Sequence, residues 1–363
     1  MYIILFFVIL AVLVLVHEFG HFFAAKRFGI RVDEFGLGFP PRLFGRMWNG
    51  TLYSINAIPF GGFVKIFGEN PDDESISGPD SSRSFVHKAK WKQVIVLAAG
   101  VIMNIILAWV LFSIGFMSGM TMGVSDANAQ YVTDKHVIVL DALPNSPAAK
   151  AKLVSGDEIL SYSIGGATTT TSTVESIQAA IRESNGKKVG FEIQRLSGNT
   201  YIEVVPEKGV LGDAYAIGIS MDMVGKVRLP FFAAFTEGAK LTGSMFMNIV
   251  GGLYGLIHDA ILGKADISQV SGPVGIARLV GDAGRLGFVY LLSFTAFISL
   301  NLAVLNLVPF PALDGGRILF VLIEAIFRRP ISPKVGNTIN TVGFGLLLAF
   351  MLFVTYKDIV KLF

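Results

Sequence analysis

The 363-residue chain contains no cysteine. This excludes disulfide bonds, thiolate catalysis and cysteine metal ligands, so any extracytoplasmic part must be stable without covalent cross-links. Charge is also scarce. Only 16% of the residues are charged, and the formal net charge of +3 indicates no nucleic-acid partner. Because 52% of the residues are apolar, an ordinary soluble protein is excluded and several membrane spans are predicted.

Four apolar segments approach the roughly 20 residues that a helix needs to cross a bilayer. They are residues 2–23, 94–117, 286–307 and 338–355. The first could be a cleaved signal peptide, but it lacks a basic start and ends in ionisable residues, which favours a retained helix. Residues 231–262 are also rather apolar, yet charged and polar residues interrupt them. We expect this segment to lie in the outer membrane interface rather than to cross.

Basic residues predict the orientation of the spans. Residues 24–93 carry ten Lys and Arg residues, and residues 308–337 carry four. By the positive-inside rule both connections are cytoplasmic. The amino terminus and the polar stretch from about residue 125 to residue 286 then lie outside. A fifth span would put Arg328 and Arg329 on the wrong side, so this parity favours four.

The polar stretch contains a soluble α/β region at residues 126–222. Residues 137–143 and 188–195 have the alternation of short strands, and residues 173–183 are predicted to form a helix with Thr173 as its cap. Residues 144–160, PNSPAAKAKLVSGDEIL, resemble the PDZ family, with Lys152 where glycine is usual. PDZ domains add an extended chain to a sheet edge. The resemblance implies a groove that includes Ile217-Gly218-Ile219, and both peptide capture and steric gating remain open.

An HExxH sequence ends the first span: His17-Glu18-Phe19-Gly20-His21. Residues four apart share one face of a helix, so both imidazoles can bind one Zn²⁺, with Glu18 beside it as general base. Such a short pattern also occurs by chance as a structural feature. Here it lies in an apolar span, where each ionisable group costs about 2.5–3.5 kcal/mol. A purely structural role is therefore disfavoured.

Zinc requires a third protein ligand and an open fourth position. The remaining histidines lie in polar or interfacial stretches and are poor candidates: His87, His136 and His258. Asp314 is the better candidate, because Pro309 and Pro311 before it end the third span as a helix. Irregular backbone at membrane depth is tolerated where it lines a cavity. A role for Asp314 as the cap of the following helix remains the alternative.

The pairing of HExxH in a first span with NLVPFPALDG at residues 306–315 resembles the site-2 protease family of intramembrane zinc metalloproteases, in its bacterial group. The resemblance covers nearly the whole chain. It implies that His17, His21 and Asp314 bind zinc and that Glu18 activates water.

Three further segments match family sequences. They are PFGGFVK at residues 59–65, similar to a membrane-associated hairpin beside the active site; AAGVIMN at residues 98–104, from the second span; and SGPVGI at residues 271–276. The chain departs from the family in three respects. Val101 replaces a usual proline, Arg317 stands where histidine is frequent, and one PDZ-like unit is evident where some members have two.

A transmembrane substrate must unwind before water reaches its peptide bonds, and its freed amides need new partners. The segment Gly62-Phe63-Val64-Lys65 is predicted to supply them as an edge strand. The resemblance also implies that Asn301 and Asn306 hold the substrate extended. Ordinary interhelical hydrogen bonds explain these two residues equally well.

These features predict a polytopic α-helical membrane protein with about four transmembrane helices, a membrane-associated β-hairpin and an inserted extracytoplasmic α/β PDZ domain. The predicted domains are residues 1–124, with two spans, HExxH and the hairpin; 125–222, the PDZ domain; 223–285, an interfacial amphipathic linker; and 286–363, with two spans and the LDG sequence. We expect a multi-pass protein of the bacterial cytoplasmic membrane, with its active site nearer the cytoplasmic side.

The predicted function is intramembrane zinc proteolysis. The resemblance implies single-span substrates in the lipid bilayer, such as an anti-sigma factor already trimmed by another protease, or remnant signal peptides. An ion-coupled transporter is one alternative, but inverted repeats are not evident. An inactive PDZ scaffold for membrane-protein tails is the other. It would not need zinc, so Glu18 together with three candidate ligands argues against it.

Overall fold

A computed structural model describes residues 2–124, 129–170, 173–195, 198–264 and 271–360. The helices are α1 (Tyr2–Arg27), α2 (Asp73–Ser77), α3 (Lys90–Ser118), α4 (Pro147–Lys150), α5 (Val174–Glu183), α6 (Phe231–Ile261), α7 (Pro273–Leu286), α8 (Phe288–Leu307), α9 (Asp314–Phe327) and α10 (Pro333–Val360). The strands are β1 (Val32–Trp48), β2 (Thr51–Ile66), β3 (Met120–Gly123), β4 (Val132–Ala142), β5 (Glu158–Ile164), β6 (Ala167–Thr170), β7 (Val189–Arg195), β8 (Gly198–Val204), β9 (Glu207–Leu211), β10 (Ala214–Ala216) and β11 (Ile219–Val227).

Helices α1, α3, α8 and α10 are each long and apolar enough to cross a membrane, which confirms the predicted number of spans. Helix α6 has 31 residues and is not among these four. Its second half leaves Met247, Tyr254 and Ile261 exposed. That α6 lies in the membrane interface stays a prediction.

The chain forms two compact units, one from Met1–Ile114 with Phe235–Phe363 and the other from Gly115–Ala234. The second unit is wider than the predicted soluble domain of residues 125–222, because β3 and all of β11 belong to its sheet. The domain boundaries drawn from the sequence stay a prediction.

The second unit is built on an antiparallel sheet in the order β3-β11-β4-β5-β7-β8, with β6 paired to β5. Both predicted strands are confirmed as β4 and β7, and the predicted helix as α5. The Thr173 hydroxyl caps α5 by accepting a hydrogen bond from the Ser176 amide, 3.2 Å away. Ile177 and Ile181 of α5 bury their side chains against the sheet around Phe191.

A buried ion pair fixes one turn of this unit. Asp157 is 1% exposed and accepts two hydrogen bonds from Arg195 of β7, at 2.5 and 2.6 Å. Its carboxylate also accepts from the Val154 amide at 3.0 Å. These bonds raise the pKa of the Arg195 guanidinium and hold the turn before β5 against β7.

In the first unit, β1 and β2 bend to form four antiparallel segments. Residues 34–37 pair on one side with residues 52–55 and on the other with residues 62–65. Among the residues that the structure describes, no other strand pairs with residues 62–65. This segment is therefore an edge strand, as predicted. Thr51 Oγ1 donates a hydrogen bond to the Val32 carbonyl at 2.8 Å and so holds the start of β2 to the start of β1.

The edge of this sheet is joined to the helices by a shared core. Buried side chains from α1, β1, β2, α3 and α9 meet there, namely Ala25, Ile30, Val32, Ile66, Val96, Leu97 and Val321. Fully burying one Ile, Val or Leu side chain contributes about 1.5–3 kcal/mol. This core fixes the end of α1 and the start of α9 relative to α3.

Helix α7 anchors the other half of α1. Val280 packs with Phe6, Ile9 and Leu13. At the amino terminus of α7, the Gly275 amide donates to Asp358 Oδ2 of α10 at 2.7 Å. The N-cap residue of α7 makes no side-chain hydrogen bond to the first turn. A carboxylate from another helix therefore accepts from a free backbone amide there and interacts favourably with the positive end of the helix dipole.

Candidate metal centre

Helix α1 places His17 and His21 on one face, as their spacing predicts. Both side chains are buried, and their Nε2 atoms are 3.2 Å apart. Gly20, between them, packs directly on the α3 backbone at Ala99, where a side chain would not fit, so α1 and α3 approach each other closely. The close contact of α1 with α3 thus carries both histidines into the protein interior.

Asp314 reaches the same point from the start of α9, directly after the loop that follows α8. Helix α8 ends at Leu307, before the two prolines that were predicted to end it, and Asp314 is the first residue of α9. The loop is held in an uncommon conformation, since Ala312 has φ +72° and its amide donates to Asn340 Oδ1 of α10 at 3.2 Å. Gly315 lies against the Leu307 carbonyl, where a side chain would not fit.

Three acceptor atoms converge at this point. Asp314 Oδ2 lies 3.0 Å from His17 Nε2 and 3.3 Å from His21 Nε2. Two ligand atoms bound about 2.0–2.1 Å from a tetrahedral zinc ion are about 3.3 Å apart. The three distances match that spacing, and Asp314 Oδ2 is buried. The donor set, two imidazoles and a carboxylate, is one that zinc accepts, so these residues fit zinc with a fourth position left to water or substrate.

The proton position on His21 follows from its partner. Nδ1 lies 2.8 Å from the backbone carbonyl of Val96 in α3. A carbonyl only accepts hydrogen bonds, so Nδ1 carries the proton and Nε2 keeps its lone pair for a metal. The sequence could not reveal this contact, because any residue at position 96 would supply the same carbonyl.

His17 also has a partner in α3. Its Nδ1 lies 3.2 Å from the side-chain amide of Asn104, which is fully buried. Asn104 was noticed in the sequence only as part of the AAGVIMN segment. Asn340 was missed altogether. The signal for both is a polar amide in an apolar span, where it requires a partner.

Glu18 lies beside the edge strand. Its Cγ is 4.0 Å from the position that a Cβ would take on Gly62. The general base predicted from the sequence and the predicted substrate strand Gly62-Phe63-Val64-Lys65 are therefore neighbours. Their roles in catalysis and substrate binding stay predictions.

The two asparagines of α8 differ in position. Asn306 Nδ2 lies 3.4 Å from His17 Nε2, next to the metal centre. Asn301 donates to the Phe297 carbonyl of its own helix at 2.9 Å and is half-buried. Residues five apart on a helix point about 140° apart, so the two cannot face one point.

Arg317, which stands where the resembling family often has histidine, does not contact the histidines by any bond that the structure records. It pairs with Glu69 at the end of β2. Lys90 of α3 similarly pairs with Glu324 of α9, at 2.5 Å. These two ion pairs fasten α9 to the sheet and to α3, and so hold Asp314 in place.

Comparison with known proteins agrees with this geometry. Residues 5–350 match Peptidase family M50. A protein of Clostridium perfringens named as a zinc metalloprotease is 38% identical over 99% of both chains. One of Clostridium acetobutylicum with the same kind of name is 35% identical, over 96% of this chain and 94% of its own. One of Nostoc sp. is 32% identical, over 98% and 94%. The chain belongs to peptidase family M50, the site-2 protease family of zinc-dependent membrane metalloproteases.

Proposed function

We propose that this chain is an intramembrane protease that cleaves the transmembrane segments of single-span substrate proteins. The observation that carries the proposal is the position of the metal centre. Two of its ligands belong to α1, a helix long and apolar enough to span a membrane, and its general base lies next to an open sheet edge. A peptide bond can reach that centre only if the substrate comes to membrane depth.

The residues of the candidate metal centre have separate roles in the proposed reaction. His17, His21 and Asp314 would hold a zinc ion, which would supply a Lewis acid for the peptide carbonyl and for water. Glu18 accepts the proton of the attacking water and returns it to the leaving amine. The buried walls around the two histidines limit bulk water, which strengthens each charge interaction in the site.

The edge strand recognises the unwound substrate. Within the part of the chain that the structure describes, residues 62–65 are paired on one side only, so their outward backbone groups can pair with an extended chain. Such pairing holds the substrate's amides that lost their helical partners. Gly62 brings this strand close to Glu18, and Asn306 offers a further donor beside His17.

The orientation follows from the basic residues. We place the chain in the bacterial cytoplasmic membrane, with the connections between spans one and two and between spans three and four on the cytoplasmic side. His21 is near the basic end of α1, which finishes in Lys26 and Arg27. The metal centre would thus be nearer the cytoplasmic side, and the unit Gly115–Ala234 would be extracytoplasmic.

We further propose that the second unit is a PDZ domain. A groove of about 280 Å³ runs between α5 and residues 214–219, lined by Gln178, Ile181, Arg182 and the predicted Ile217-Gly218-Ile219. A peptide in this groove would lie beside a strand, as in PDZ recognition. The unit either captures substrate tails or excludes bulky ectodomains. The second role would explain a need for substrates that another protease has already trimmed, such as an anti-sigma factor, or for remnant signal peptides.

The test is cleavage of a generic single-span substrate by the purified full chain in detergent. Wild type is compared with Glu18→Gln and with Glu203→Gln, a matched change at an exposed carboxylate of β8. We expect about one zinc per chain in all three and cleavage lost only in Glu18→Gln. Cleavage that persists in Glu18→Gln would overturn the role of Glu18 as general base. A wild-type chain that binds no zinc and does not cleave would overturn the proposal in favour of a transporter or an inactive scaffold.

A further inference from the structure

One face of α3 contacts both histidines of the metal centre. Val96, Gly100 and Asn104 are spaced four residues apart, so they form a stripe along the helix. The Val96 carbonyl bonds to His21, Gly100 lies against both rings, and Asn104 bonds to His17. The second span therefore does more than pack on the first, because each imidazole has its own partner there.

The two ring nitrogens of His17 have different neighbours, since Nε2 faces the candidate metal position and Nδ1 faces Asn104. Nε2 is the atom that converges with His21 Nε2 and Asp314 Oδ2, so Nε2 must supply the lone pair to a metal. A neutral imidazole that gives its Nε2 lone pair carries its proton on Nδ1. Nδ1 is then a donor and requires an acceptor at the position of the Asn104 amide.

Asn104 can provide that acceptor. It is fully buried, its side-chain amide lies 3.2 Å from Nδ1, and its Oδ1 is one of three buried side-chain polar atoms without a recorded partner among the described residues. A half-turn of the terminal amide exchanges oxygen and nitrogen, two atoms of nearly equal size. The exchange brings Oδ1 to Nδ1–H and satisfies both groups at once.

We propose that Asn104 is a positioning residue for the metal centre: its Oδ1 accepts the Nδ1–H hydrogen bond of His17, which fixes the proton on Nδ1 and aims Nε2 at zinc. This inference rests on zinc binding by His17 in the proposed function. Asn104 would then accept the Nδ1–H hydrogen bond of His17, just as the Val96 carbonyl accepts that of His21. Ser299 Oγ of α8 donates to the backbone carbonyl of Asn104 at 2.8 Å, and this bond does not involve the side-chain amide that faces His17.

The experiment measures zinc affinity by competition with a chelator on the purified full chain. Asn104→Leu keeps the volume and removes the acceptor, and we expect zinc binding to weaken about 10–100-fold, as for other partners of metal-bound histidines. Asn104→Asp keeps an acceptor oxygen at the same place, and we expect affinity equal to or higher than wild type. Ser299→Ala, which alters packing around Asn104 but not its amide, should bind zinc as wild type does.

Wild-type affinity in Asn104→Leu would overturn the inference, as would equal weakening in Asn104→Leu and Asn104→Asp, since that pattern reports packing alone. If Asn104→Leu does not insert, Asn104→Asp decides, because binding ten-fold weaker than wild type contradicts an acceptor role. A wild-type chain without zinc is a separate result that overturns the proposed function instead.

Discussion

Gly100 of α3 and His21 of α1 are so close that no side chain fits between them. A Cβ on residue 100 would overlap His21 Nε2 and would lie 2.7 Å from His17 Cε1. Real Cβ contacts are longer, so one of the rings or one of the helices would have to move. The glycine thus sets the distance between α3 and the two histidines.

We expect Gly100→Ala to weaken zinc binding at least about ten-fold, because it displaces the rings from their common point. Gly243→Ala is the matched control, since nothing lies within 4 Å of a Cβ there. Both substitutions improve helix propensity equally, by about 0.5–1 kcal/mol. Zinc content of the purified variants measures the difference, and equal content in the two would contradict the close packing described here.

The two asparagines of α8 should separate in a kinetic comparison. Asn306→Ala removes a donor 3.4 Å from His17. We expect cleavage to slow roughly 5–100-fold with zinc retained, because a buried substrate group left without its hydrogen-bond partner costs about 1–3 kcal/mol. Asn301→Ala removes an amide that bonds within its own helix, and we expect a smaller effect. Single-turnover cleavage with zinc content checks both. A rate for Asn306→Ala equal to that of wild type would remove its role.

The pairing of β3 with β11 shows where most of the second unit can be deleted. Gly123 of β3 and Val224 of β11 are antiparallel partners, so residues 124–223 can be replaced by an Asn-Gly turn that closes a hairpin. If the unit excludes bulky ectodomains, this shortened chain should cleave an untrimmed substrate that wild type rejects. Cleavage of a trimmed substrate at the wild-type rate is the control for insertion. Unchanged selectivity would count against gating.

The Asp157–Arg195 pair should matter for stability more than an exposed pair does. Asp157→Asn leaves Arg195 without its charge partner, and we expect a loss of about 1–3 kcal/mol, less than for a fully buried pair because Arg195 is 28% exposed. Glu203→Gln breaks the exposed pair with Lys188 and should leave the melting temperature nearly unchanged. Thermal unfolding followed by the strand signal in circular dichroism compares them. Similar melting temperatures would refute the difference.

Much of the candidate metal centre could be predicted from the sequence, because it depends on helix periodicity and hydrophobicity, which are local properties of the chain. A spacing of four puts His17 and His21 on one face of any helix, and apolar length alone predicts the spans. The prolines before Asp314 predict where α8 ends. Charge in an apolar span has few explanations other than function, which made these residues stand out.

The remaining contacts depend on tertiary pairing. The edge strand is exposed on one side because residues 34–37 pair with residues 62–65, and register over that separation has no local signal. The partner of His21 is the backbone carbonyl of Val96, which every residue type would supply, so the sequence carries no signal for this contact. The bond of Asn340 to the loop at Ala312 requires α10 to lie beside that loop, which neither segment predicts alone.

The order of the ligands along the chain has a consequence for biosynthesis. A ribosome that has completed α1 and α3 has already made both histidines and the Val96 carbonyl that orients His21, whereas Asp314 is translated only after α8. A nascent or truncated chain therefore holds an incomplete ligand set. A zinc ion held by all three residues would join α1 to the start of α9. The proposed zinc site can therefore be complete only after α8 and the start of α9 have been made.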